Sequence, residues 1–367
     1  MNIVKLGDVA DVCVSGVDKK TTPGEQPVRL CNYTDVYYNW TIRKELSQNF
    51  MTASARDSEI AKFRLQAGQV ALTKDSETRD DIGHPAYIAD DFEDVILGYH
   101  CALISPHAGI LDGKYLNGLL RTQHISDYLS RNAGGSGQRY YLSDSTIKAM
   151  PISLPPIAAQ LRIAGVLGSL DEKIALNRKK IAELEALAKL VYEQFVARKQ
   201  YAYTTIGAEM PVITGKRDSN FATKNGRYRF FTCSKEKLMC DEYEFKGKSV
   251  LLSGNGDLHV KFYDGRFNAY QRTYVLMPRN EALFAPTYFA VQATLKRLTS
   301  GAAGSIVKFI TKGDVERISI PIFPNEISNL LNDQFENILA TESVTEELIK
   351  LRDELLPLLM NGQVVVK

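Results

Sequence analysis

A segment in the second half of the chain combines cationic and aromatic side chains in a way that suits contact with nucleic acid. Between residues 216 and 237 these side chains are interleaved: Lys216, Arg217, Phe221, Lys224, Arg227, Tyr228, Arg229, Phe230, Phe231, Lys235 and Lys237. Lysine mainly holds phosphate groups, whereas arginine can bind a base edge through two hydrogen bonds. The composition favours a polyanionic partner, and the alternative is an ordinary solvated surface.

Polar loops of a similar kind follow this segment. They comprise residues 253–256, Lys261 and residues 268–272. Asparagine, glutamine and arginine in these loops are the side chains that read adenine and guanine edges. Glycine and serine let backbone amides approach a phosphate closely. These loops therefore extend the candidate nucleic-acid-binding surface.

Net charge is unevenly distributed along the 367 residues. The whole chain carries only +2, but residues 201–324 carry +7. Residues 1–156 carry −3, residues 157–200 carry +3 and residues 325–367 carry −5. A net charge of +7 again indicates a polyanionic partner for that segment, while the small total argues against a strongly basic coat protein.

The sequence contains no recognisable catalytic motif. An Asn/Asp-Pro-Pro-Tyr loop of an amino-methyltransferase, a phosphate-binding Gly-Lys-Ser/Thr loop and a Gly-x-Ser-x-Gly turn are all absent. Asp241, Glu244 and Lys246 are too closely spaced for a nuclease centre, and the five histidines lack zinc-ligand spacing. We therefore predict no catalytic residue, no metal site and no cofactor in this chain.

Cysteine usage and hydropathy indicate a cytoplasmic protein. The five cysteines are odd in number and widely scattered, which argues against a disulfide framework. No run of 18 apolar residues predicts a membrane span, and the first residues lack the pattern of a secretory signal. We expect a reducing environment and no membrane partner.

Four short segments recur in the same order in the two halves of the chain. The pairs are residues 6–7 and 206–207, 70–73 and 250–253, 99–106 and 271–278, and 141–156 and 309–324. The offset falls steadily from 200 to 168 residues, as expected when the second of two copies has shorter loops. We therefore predict two tandem mixed α/β domains, at residues 1–156 and 201–324, related by pseudo-twofold symmetry.

Each predicted domain is followed by a segment with helical periodicity, at residues 157–200 and 325–367. Ser169 and Glu172 have the spacing of a capping box, which predicts a long helix from about residue 170 to 198 after a short one. In the last segment, two possible registers leave open whether the helix is continuous or broken near Thr341.

Each long helix presents one apolar seam. The seams comprise Leu170, Ile174, Ile181, Leu184, Leu187, Val191 and Phe195 in the first helix, and Leu348, Leu351, Leu355 and Leu359 in the second. A single apolar stripe needs a cover, and the other helix is the obvious one. We predict an antiparallel coiled coil between the domains; the alternative is that each helix packs only on its own domain.

The whole arrangement resembles the DNA specificity subunits of type I restriction-modification systems. The resemblance lies in residues 6–9, 154–163, 170–178, 226–228, 254–256, 269–272 and 351–362. It covers nearly the whole chain in the order recognition domain, helix, recognition domain, helix. The acidic first domain is a departure from a uniformly basic DNA-binding face.

The resemblance implies a non-catalytic subunit that reads a split double-stranded DNA target, one half with each target-recognition domain. The helix pair would then set the gap and dock two adenine methyltransferase subunits, which would carry S-adenosylmethionine. Restriction motor subunits can join such a complex. An alternative from another class is a protein-only scaffold whose two domains hold other proteins apart.

On this interpretation we predict DNA contacts in both domains. In the first domain they are Lys74, Ser76, Thr78, Gly135, Ser136, Gly137, Gln138 and Arg139. In the second domain they are Lys216, Arg217, Asn255, Lys261, Tyr270, Gln271 and Arg272. Lysines are expected at phosphates, and the amide and guanidinium groups at base edges.

Overall fold

The computed structural model describes residues 2–135, 137–256, 258–299 and 309–366. The chain forms two compact units, one of Met1–Ala175 with Glu346–Lys367 and the other of Leu176–Thr345. The predicted segments 1–156 and 201–324 each lie inside one unit. The two long helical segments are divided between the units, so that each unit contains a piece of both.

The first unit consists of short strands and helices that precede the first long helix. Its strands are β1 Asn2–Lys5, β2 Ala10–Val14, β3 Gln26–Cys31, β4 Thr41–Ile42, β5 Met51–Ala55, β6 Val70–Thr73, β7 Asp75–Ser76, β8 Pro85–Ile88, β9 Val95–Leu97, β10 Cys101–Pro106, β11 Gly134–Gly135, β12 Tyr140–Tyr141 and β13 Pro151–Leu154. Its helices are α1 Tyr33–Tyr37, α2 Lys44–Ser47, α3 Asp57–Phe63, α4 Gly113–Leu119, α5 Gln123–Asn132, α6 Asp144–Lys148 and the start of α7 Ile157–Ala197.

Sheets of the first unit are small and mixed. The largest has the strand order β2-β10-β6-β8-β4, and a second has the order β5-β3-β9. Two further sheets, β11-β12-β7 and β1-β13, connect segments that are far apart in sequence. In the last of these, Asn2 pairs with Leu154 and Lys5 with Pro151, so the first and last strands of the domain lie side by side.

The second unit repeats this organisation with fewer elements. Its strands are β14 Tyr203–Thr205, β15 Val212–Thr214, β16 Tyr228–Phe231, β17 Leu238–Cys240, β18 Phe245–Lys246, β19 Ser249–Ser253, β20 Val260–Tyr263, β21 Arg266–Ala269, β22 Thr273–Leu276 and β23 Ser319–Pro321. Its helices are α8 Ile206–Glu209, α9 Phe284–Thr299, α10 Lys312–Glu316, the end of α7 and the part of α11 Asn325–Met360 that precedes Glu346. The sheets have the orders β15-β22-β19-β20, β17-β16-β21-β18 and β14-β23.

The repeat inferred from the sequence is present in the backbone hydrogen bonds. The amide of Leu6 donates to the carbonyl of Met150 at 2.9 Å, and the amide of Ile206 donates to the carbonyl of Ile318 at 3.0 Å. Leu6 and Ile206 are 200 residues apart and Met150 and Ile318 are 168 residues apart, which are the offsets of the first and fourth repeated segments. The antiparallel pair β14-β23 is accordingly the counterpart of β1-β13. Two copies of one fold are thus confirmed.

In the first unit, the beginning of α7 and the end of α11 complete one of the two hydrophobic cores formed by its described residues. A methyl group on Gly118 of α4 would lie 2.6 Å from Met360 Cε, 3.1 Å from Leu167 Cδ1 and 3.3 Å from Leu356 Cδ1. Three helices therefore converge closely at this glycine. Gln160, fully buried near the start of α7, also donates to the carbonyls of Ile110 and Pro155, at 2.9 Å each.

In the second unit, the other halves of the same helices meet through aromatic rings. Phe335 of α11 lies 5.5 Å from Phe289 of α9, and Tyr192 of α7 lies 5.0 Å from the same ring. The end of α7 thus lies beside the beginning of α11 here, whereas its start lies beside the end of α11 in the first unit. The two helices therefore pair in antiparallel order, and both also pack on the domains.

The predicted break before Ser169 is wrong. α7 is continuous from Ile157 to Ala197, and Ser169 Oγ donates to the carbonyl of Gly165 at 2.8 Å instead of capping a new helix. Glu172, the acid of the predicted capping box, lies 3.6 Å from Lys114 Nζ through its Oε1. Its neighbour Asp171 is buried and accepts hydrogen bonds from Thr41 Oγ1 at 2.7 Å and Arg43 Nη2 at 3.1 Å. A serine hydroxyl can cap a helix or donate to a carbonyl within one, and here it does the second.

α11 is also continuous, through Thr341. Thr341 Oγ1 donates to the carbonyl of Asn337 at 2.7 Å, and Thr345 Oγ1 donates to the carbonyl of Thr341 at 2.6 Å. Both hydroxyls are satisfied within the helix, so they can be buried without interrupting it. The open question about the last helix is thereby resolved in favour of one helix from Asn325 to Met360.

The apolar seams differ from the prediction at two positions, Leu187 and Leu351. Their side chains are 49% and 44% exposed. Ile174 and Leu359 are buried as predicted, and the half-buried members are Leu170, Ile181, Leu184, Val191, Phe195, Leu348 and Leu355. The heptad series that begins at buried Leu167 reaches Ala188, and the series that begins at buried Leu331 reaches Arg352. The packed positions are therefore Ala188 and Arg352, each one residue after a predicted leucine. Small or polar residues at these positions hid the true register.

A cluster around the single tryptophan joins the first domain to the end of α11. The ring of Trp40 lies between two guanidinium groups, with Arg121 Cζ 4.2 Å and Arg352 Cζ 3.9 Å from its centroid. Arg121 also donates to the carbonyls of Asn39 and Pro85. Burial, reinforced by the charge of Arg352, lowers the pKa of Arg121 to about 9. The cation–π contacts and carbonyls partly offset the cost of burying this cation.

Two glycine substitutions should change stability in opposite directions. Gly165 lies in exposed α7 with nothing within 4 Å of where a Cβ would be, so Gly165→Ala should raise the free energy of unfolding by about 1 kcal/mol. At Gly215 a Cβ would lie 1.9 Å from the Ala269 carbonyl oxygen. Gly215→Ala should therefore lower the free energy of unfolding by about 2 kcal/mol. Urea unfolding followed by circular dichroism measures both, and a change of the same sign in the two variants would contradict this packing.

Candidate nucleic-acid interface

In the first unit, a small sheet joins the two loops that were predicted to contact DNA. Gly135 pairs with Tyr140 across β11 and β12, and Tyr140 pairs with Ser76 across β12 and β7. The loop that contains Lys74 and Thr78 therefore lies beside the loop of residues 135–139. Thr78, Gly135, Gly137, Gln138 and Arg139 are exposed, whereas Lys74 and Ser76 are half-buried. Ser136 lies outside the described residues.

A buried carboxylate, Asp75, organises the cations of this region. It accepts hydrogen bonds from Lys74 Nζ at 2.9 Å and from His100 Nδ1 at 2.6 Å, and Arg139 Nη2 lies 4.0 Å away. Burial by itself would raise the pKa of the Asp75 carboxyl, but the hydrogen bonds from Lys74 and His100 outweigh it and lower that pKa. Asp75 is therefore a stable anion at neutral pH.

These groups line a concave surface of about 610 Å³. Its lining consists of Tyr33, Thr34, Tyr37, Tyr38, Asp75, Ser76, Glu77, Thr78, Asp81, His100, Gln138 and Arg139. Tyr33 and Tyr37 come from α1, Tyr38 directly follows it, and Tyr37 fixes its hydroxyl by donating to Asp81 at 3.0 Å. These tyrosines and His100 were not predicted from the sequence, although the run of aromatic residues at 33–38 was a usable signal.

In the second unit, Arg217, Tyr270 and Gln271 lie together. Arg217 and Tyr270 form a parallel β-bridge, and the amide of Gln271 donates to the carbonyl of Arg217 at 3.0 Å. The Gln271 side chain donates to Asp218 Oδ1 at 2.8 Å. Gly215 permits this approach because its Cα lies directly against the carbonyl of Ala269.

Arg272 and Asn255 form the adjoining part of the same region. The amide of Gly254, next to Asn255, donates to the carbonyl of Arg272 at 2.8 Å, while Asn255 itself bridges to Phe309. Arg272 is exposed and Asn255 is half-buried. Both side chains are thus carried by loops that follow buried strands, which is a rigid support for base-reading groups.

Lys261 is held at the margin of this region by an aromatic ring and a carbonyl. Its Nζ donates to the carbonyl of Ser234 at 2.6 Å and lies 5.9 Å from the centroid of Phe231. Burial lowers the pKa of Lys261. Because an ammonium group has three donors, Lys261 keeps donors for a phosphate after this contact.

Two of the predicted cations are already paired with carboxylates. Lys216 Nζ lies 2.5 Å from Glu244, and Arg217 Nη2 lies 2.7 Å from Glu242. These pairs were not predicted from the sequence, because the carboxylates and cations are separated by 25 and 28 residues along the chain. Several aromatic residues of the basic segment also have structural roles, since Phe230 is buried and packs against Phe221.

Other features of the described residues bear on the excluded chemistries. All five cysteines are free. No three acidic, histidine or cysteine side chains in the described part of the chain are grouped as metal ligands would be. In the same residues, none of the helices combines the length and the apolar character that crossing a membrane requires.

Comparison with known proteins identifies relatives over both halves of the chain. Residues 1–186 and 201–350 match the family described as the type I restriction modification DNA specificity domain. The type I restriction enzyme EcoDI specificity subunit of Escherichia coli is 33% identical over 169 residues, which cover 43% of this chain and 37% of that subunit. The chain thus aligns with little more than a third of the length of this relative.

A second relative aligns over more of its length. The type I restriction enzyme MjaIX specificity subunit of Methanocaldococcus jannaschii is 23% identical over 400 residues, which cover 94% of this chain and 87% of that subunit. The crystal structure of the S subunit of a type I restriction-modification system from M. genitalium has a TM-score of 0.57 at 15% identity. It covers 98% of this chain and 95% of that one, and shows that the fold is shared.

These matches confirm the resemblance, the two tandem mixed α/β domains and the expectation of a specificity chain in place of a catalytic one. With both repeats matched in order over most of its length, the chain belongs to the family of type I restriction-modification DNA specificity proteins.

Proposed function

We propose that this chain recognises a split DNA sequence, with each unit reading one half. The observation that carries the proposal is the repeat of one backbone frame, which presents polar loops at equivalent places in both units. In the second unit these loops carry Asn255, Gln271 and Arg272, whose side chains can bind base edges in the major groove. In the first unit, the equivalent loop after β6 lies beside the loop that carries Gln138 and Arg139.

Affinity and specificity would be divided between different residues. Lys261 is anchored to the protein through one donor and would hold a phosphate with another, independently of sequence. Lys216 and Arg217 can contact phosphates only in competition with Glu244 and Glu242. Arg272 is free to turn toward a base edge because it is exposed on a fixed loop.

Exposed leucines on the long helices support docking of other proteins. On α11, Val344, Leu351 and Leu358 follow one another at intervals of seven residues and are all exposed, as is Leu187 on α7. Such a spacing forms one apolar face of a helix, which favours cover by a helical partner. We propose that two adenine methyltransferase subunits bind along the helices and supply S-adenosylmethionine, in the cytoplasm, with restriction motor subunits able to join.

Mapping of methylated adenines in the source genome tests the proposed function. Deletion of this gene should abolish methylation at one gapped motif, because the partner subunits would lose their sequence reader. The genome with the gene restored is the control. An unchanged methylation map, together with an absence of DNA binding by the purified complex, would favour a protein-only scaffold.

Two substitutions in the second unit should have different effects on DNA binding. Arg272→Ala should reduce discrimination at one base pair by about 1–3 kcal/mol, since a bidentate base contact is lost. Lys261→Ala should weaken binding to all sequences alike and reduce the slope of log K against log salt by about 1. Binding to a panel of singly substituted duplexes at 50–200 mM salt measures both. Identical profiles for the two variants and the native protein would refute this assignment.

A charge on the exposed face of α11 should impair assembly with the methyltransferase. Leu351→Asp should reduce co-purification of that subunit about tenfold, as expected for loss of an interface contact of roughly 1.4 kcal/mol. Ile110→Asp is the matched control, because Ile110 is 45% exposed and Leu351 is 44% exposed. Equal co-purification of the two variants would argue against docking on this face.

A further inference from the structure

The hydrogen bonds that hold Arg272 in the second unit recur around His100 in the first unit. The amide of Gly254 donates to the carbonyl of Arg272, and the amide of Lys74 donates to the carbonyl of His100, both at 2.8 Å. Both carbonyls lie at the start of the matching strands β22 and β10. The residues just before them, Tyr99 and Gln271, also make equivalent contacts.

The amides just before these residues make a second equivalent pair of contacts. Gln271 donates to the carbonyl of Arg217 at 3.0 Å, and Tyr99 donates to the carbonyl of Val17 at 2.7 Å. The separations between these residues equal those of the repeated segments. His100 therefore occupies the position in the first unit that Arg272 occupies in the second.

A third correspondence concerns the carboxylate beneath His100. Asp75 pairs with Tyr141 across β7 and β12, and Asn255 forms the equivalent bridge to Phe309. The second unit therefore has an amide and an arginine where the first unit has a carboxylate and a histidine. The first unit must supply its base-reading donor in a different way.

His100 is held in an unfavourable backbone conformation. Its φ of +73° lies in the left-handed region, which non-glycine residues rarely adopt. Such strain is retained where a side chain is required in a particular place, and it points to a functional role. The imidazole is partly exposed, at 23% of its side-chain surface, and lines the concave surface of the first unit.

The hydrogen bonds of the imidazole determine which nitrogen carries a hydrogen. Because anionic Asp75 can only accept, Nδ1 of His100 is the donor in the 2.6 Å contact between them. In the neutral ring Nε2 is then the acceptor that remains. Arg139 Nη2 is directed at the same ring, 2.6 Å from Nδ1 and 3.1 Å from Nε2, and lies 4.0 Å from Asp75 Oδ2. Because it is nearer to Nδ1, it does not lie along the lone pair of Nε2, and the guanidinium is held by contact with the imidazole and by attraction to the Asp75 carboxylate. Asp75 therefore orients His100, and both groups hold Arg139 in place.

We propose that Arg139 reads a guanine in the first half-site, with His100 and Asp75 as its positioning residues. A guanidinium group binds guanine O6 and N7 through two hydrogen bonds, and Arg139 has donors beyond the one directed at His100. In the first unit the base-reading guanidinium thus comes from Arg139, in the loop between β11 and β12. In the second unit it comes from Arg272, at the position equivalent to His100. This inference rests on the proposed function and assigns the chemistry of one half-site.

Binding of the full chain, co-purified with its modification subunits, to duplexes with single substitutions in the mapped motif tests the inference. The first half-site is the one whose recognition Arg272→Ala leaves unchanged. Arg139→Ala and His100→Ala should each reduce discrimination at one G·C pair of that half-site at least tenfold. His100→Asn should retain discrimination, because asparagine tolerates positive φ and its amide can donate to Asp75, which keeps the carboxylate oriented beside Arg139.

A glycine variant separates backbone strain from side-chain chemistry. His100→Gly relieves the unfavourable φ and should fold at least as well as the native chain, yet should lose the same discrimination as His100→Ala. A first half-site without a G·C pair, or discrimination within twofold of native in Arg139→Ala, would overturn the inference while leaving split recognition intact. Loss of affinity for all sequences alike in His100→Gly would also overturn it. A native complex without a gapped motif would instead refute the proposed function.

Discussion

In each unit, one hydrophobic core is completed by both long helices, and this is the constraint on which the rest of the fold depends. In the first unit, Leu167 from α7 and Leu356 from α11 meet at Gly118. In the second unit, Tyr192 and Phe335 contact the same ring of Phe289. The strands and short helices of a domain do not enclose these two cores alone, so the helices are structural parts of the domains as well as connections.

The same constraint explains the polar groups within the helical seams. Arg352 occupies a packed position of α11 because its guanidinium lies on Trp40, opposite Arg121. Asp171 is buried in α7 because Thr41 and Arg43 donate to it. These contacts specify which part of the first domain faces each helix, since a buried charge is tolerated only where its partners are present. Apolar packing alone would be less selective about register.

The sequence was sufficient to predict the repeat and the helical segments, because these depend on periodicity and on the order of short motifs. It did not reveal the continuity of α7 at Ser169 or the exposure of Leu351. At Ser169 the local pattern fits both outcomes, because a serine hydroxyl can cap a helix or donate to a carbonyl within it. At Leu351 the neighbouring Arg352 takes the packed position through Trp40, a partner distant in sequence. Likewise, the carboxylates that pair with Lys216 and Arg217 are adjacent only after β15 and the loop before β18 have come together.

The pairing of first and last strands in each domain has an evolutionary consequence. Because β1 pairs with β13, and β14 with β23, the two chain ends of each domain leave it at the same place. A domain closed in this way behaves as a cassette, which recombination can exchange at its flanking helices without cutting a strand pair. The loops proposed to read DNA lie inside the cassette, while the packing at Gly118 or Phe289 must be kept by any replacement. Under the proposed function, exchange of a whole domain would change one half of the target sequence and leave the helical framework unchanged.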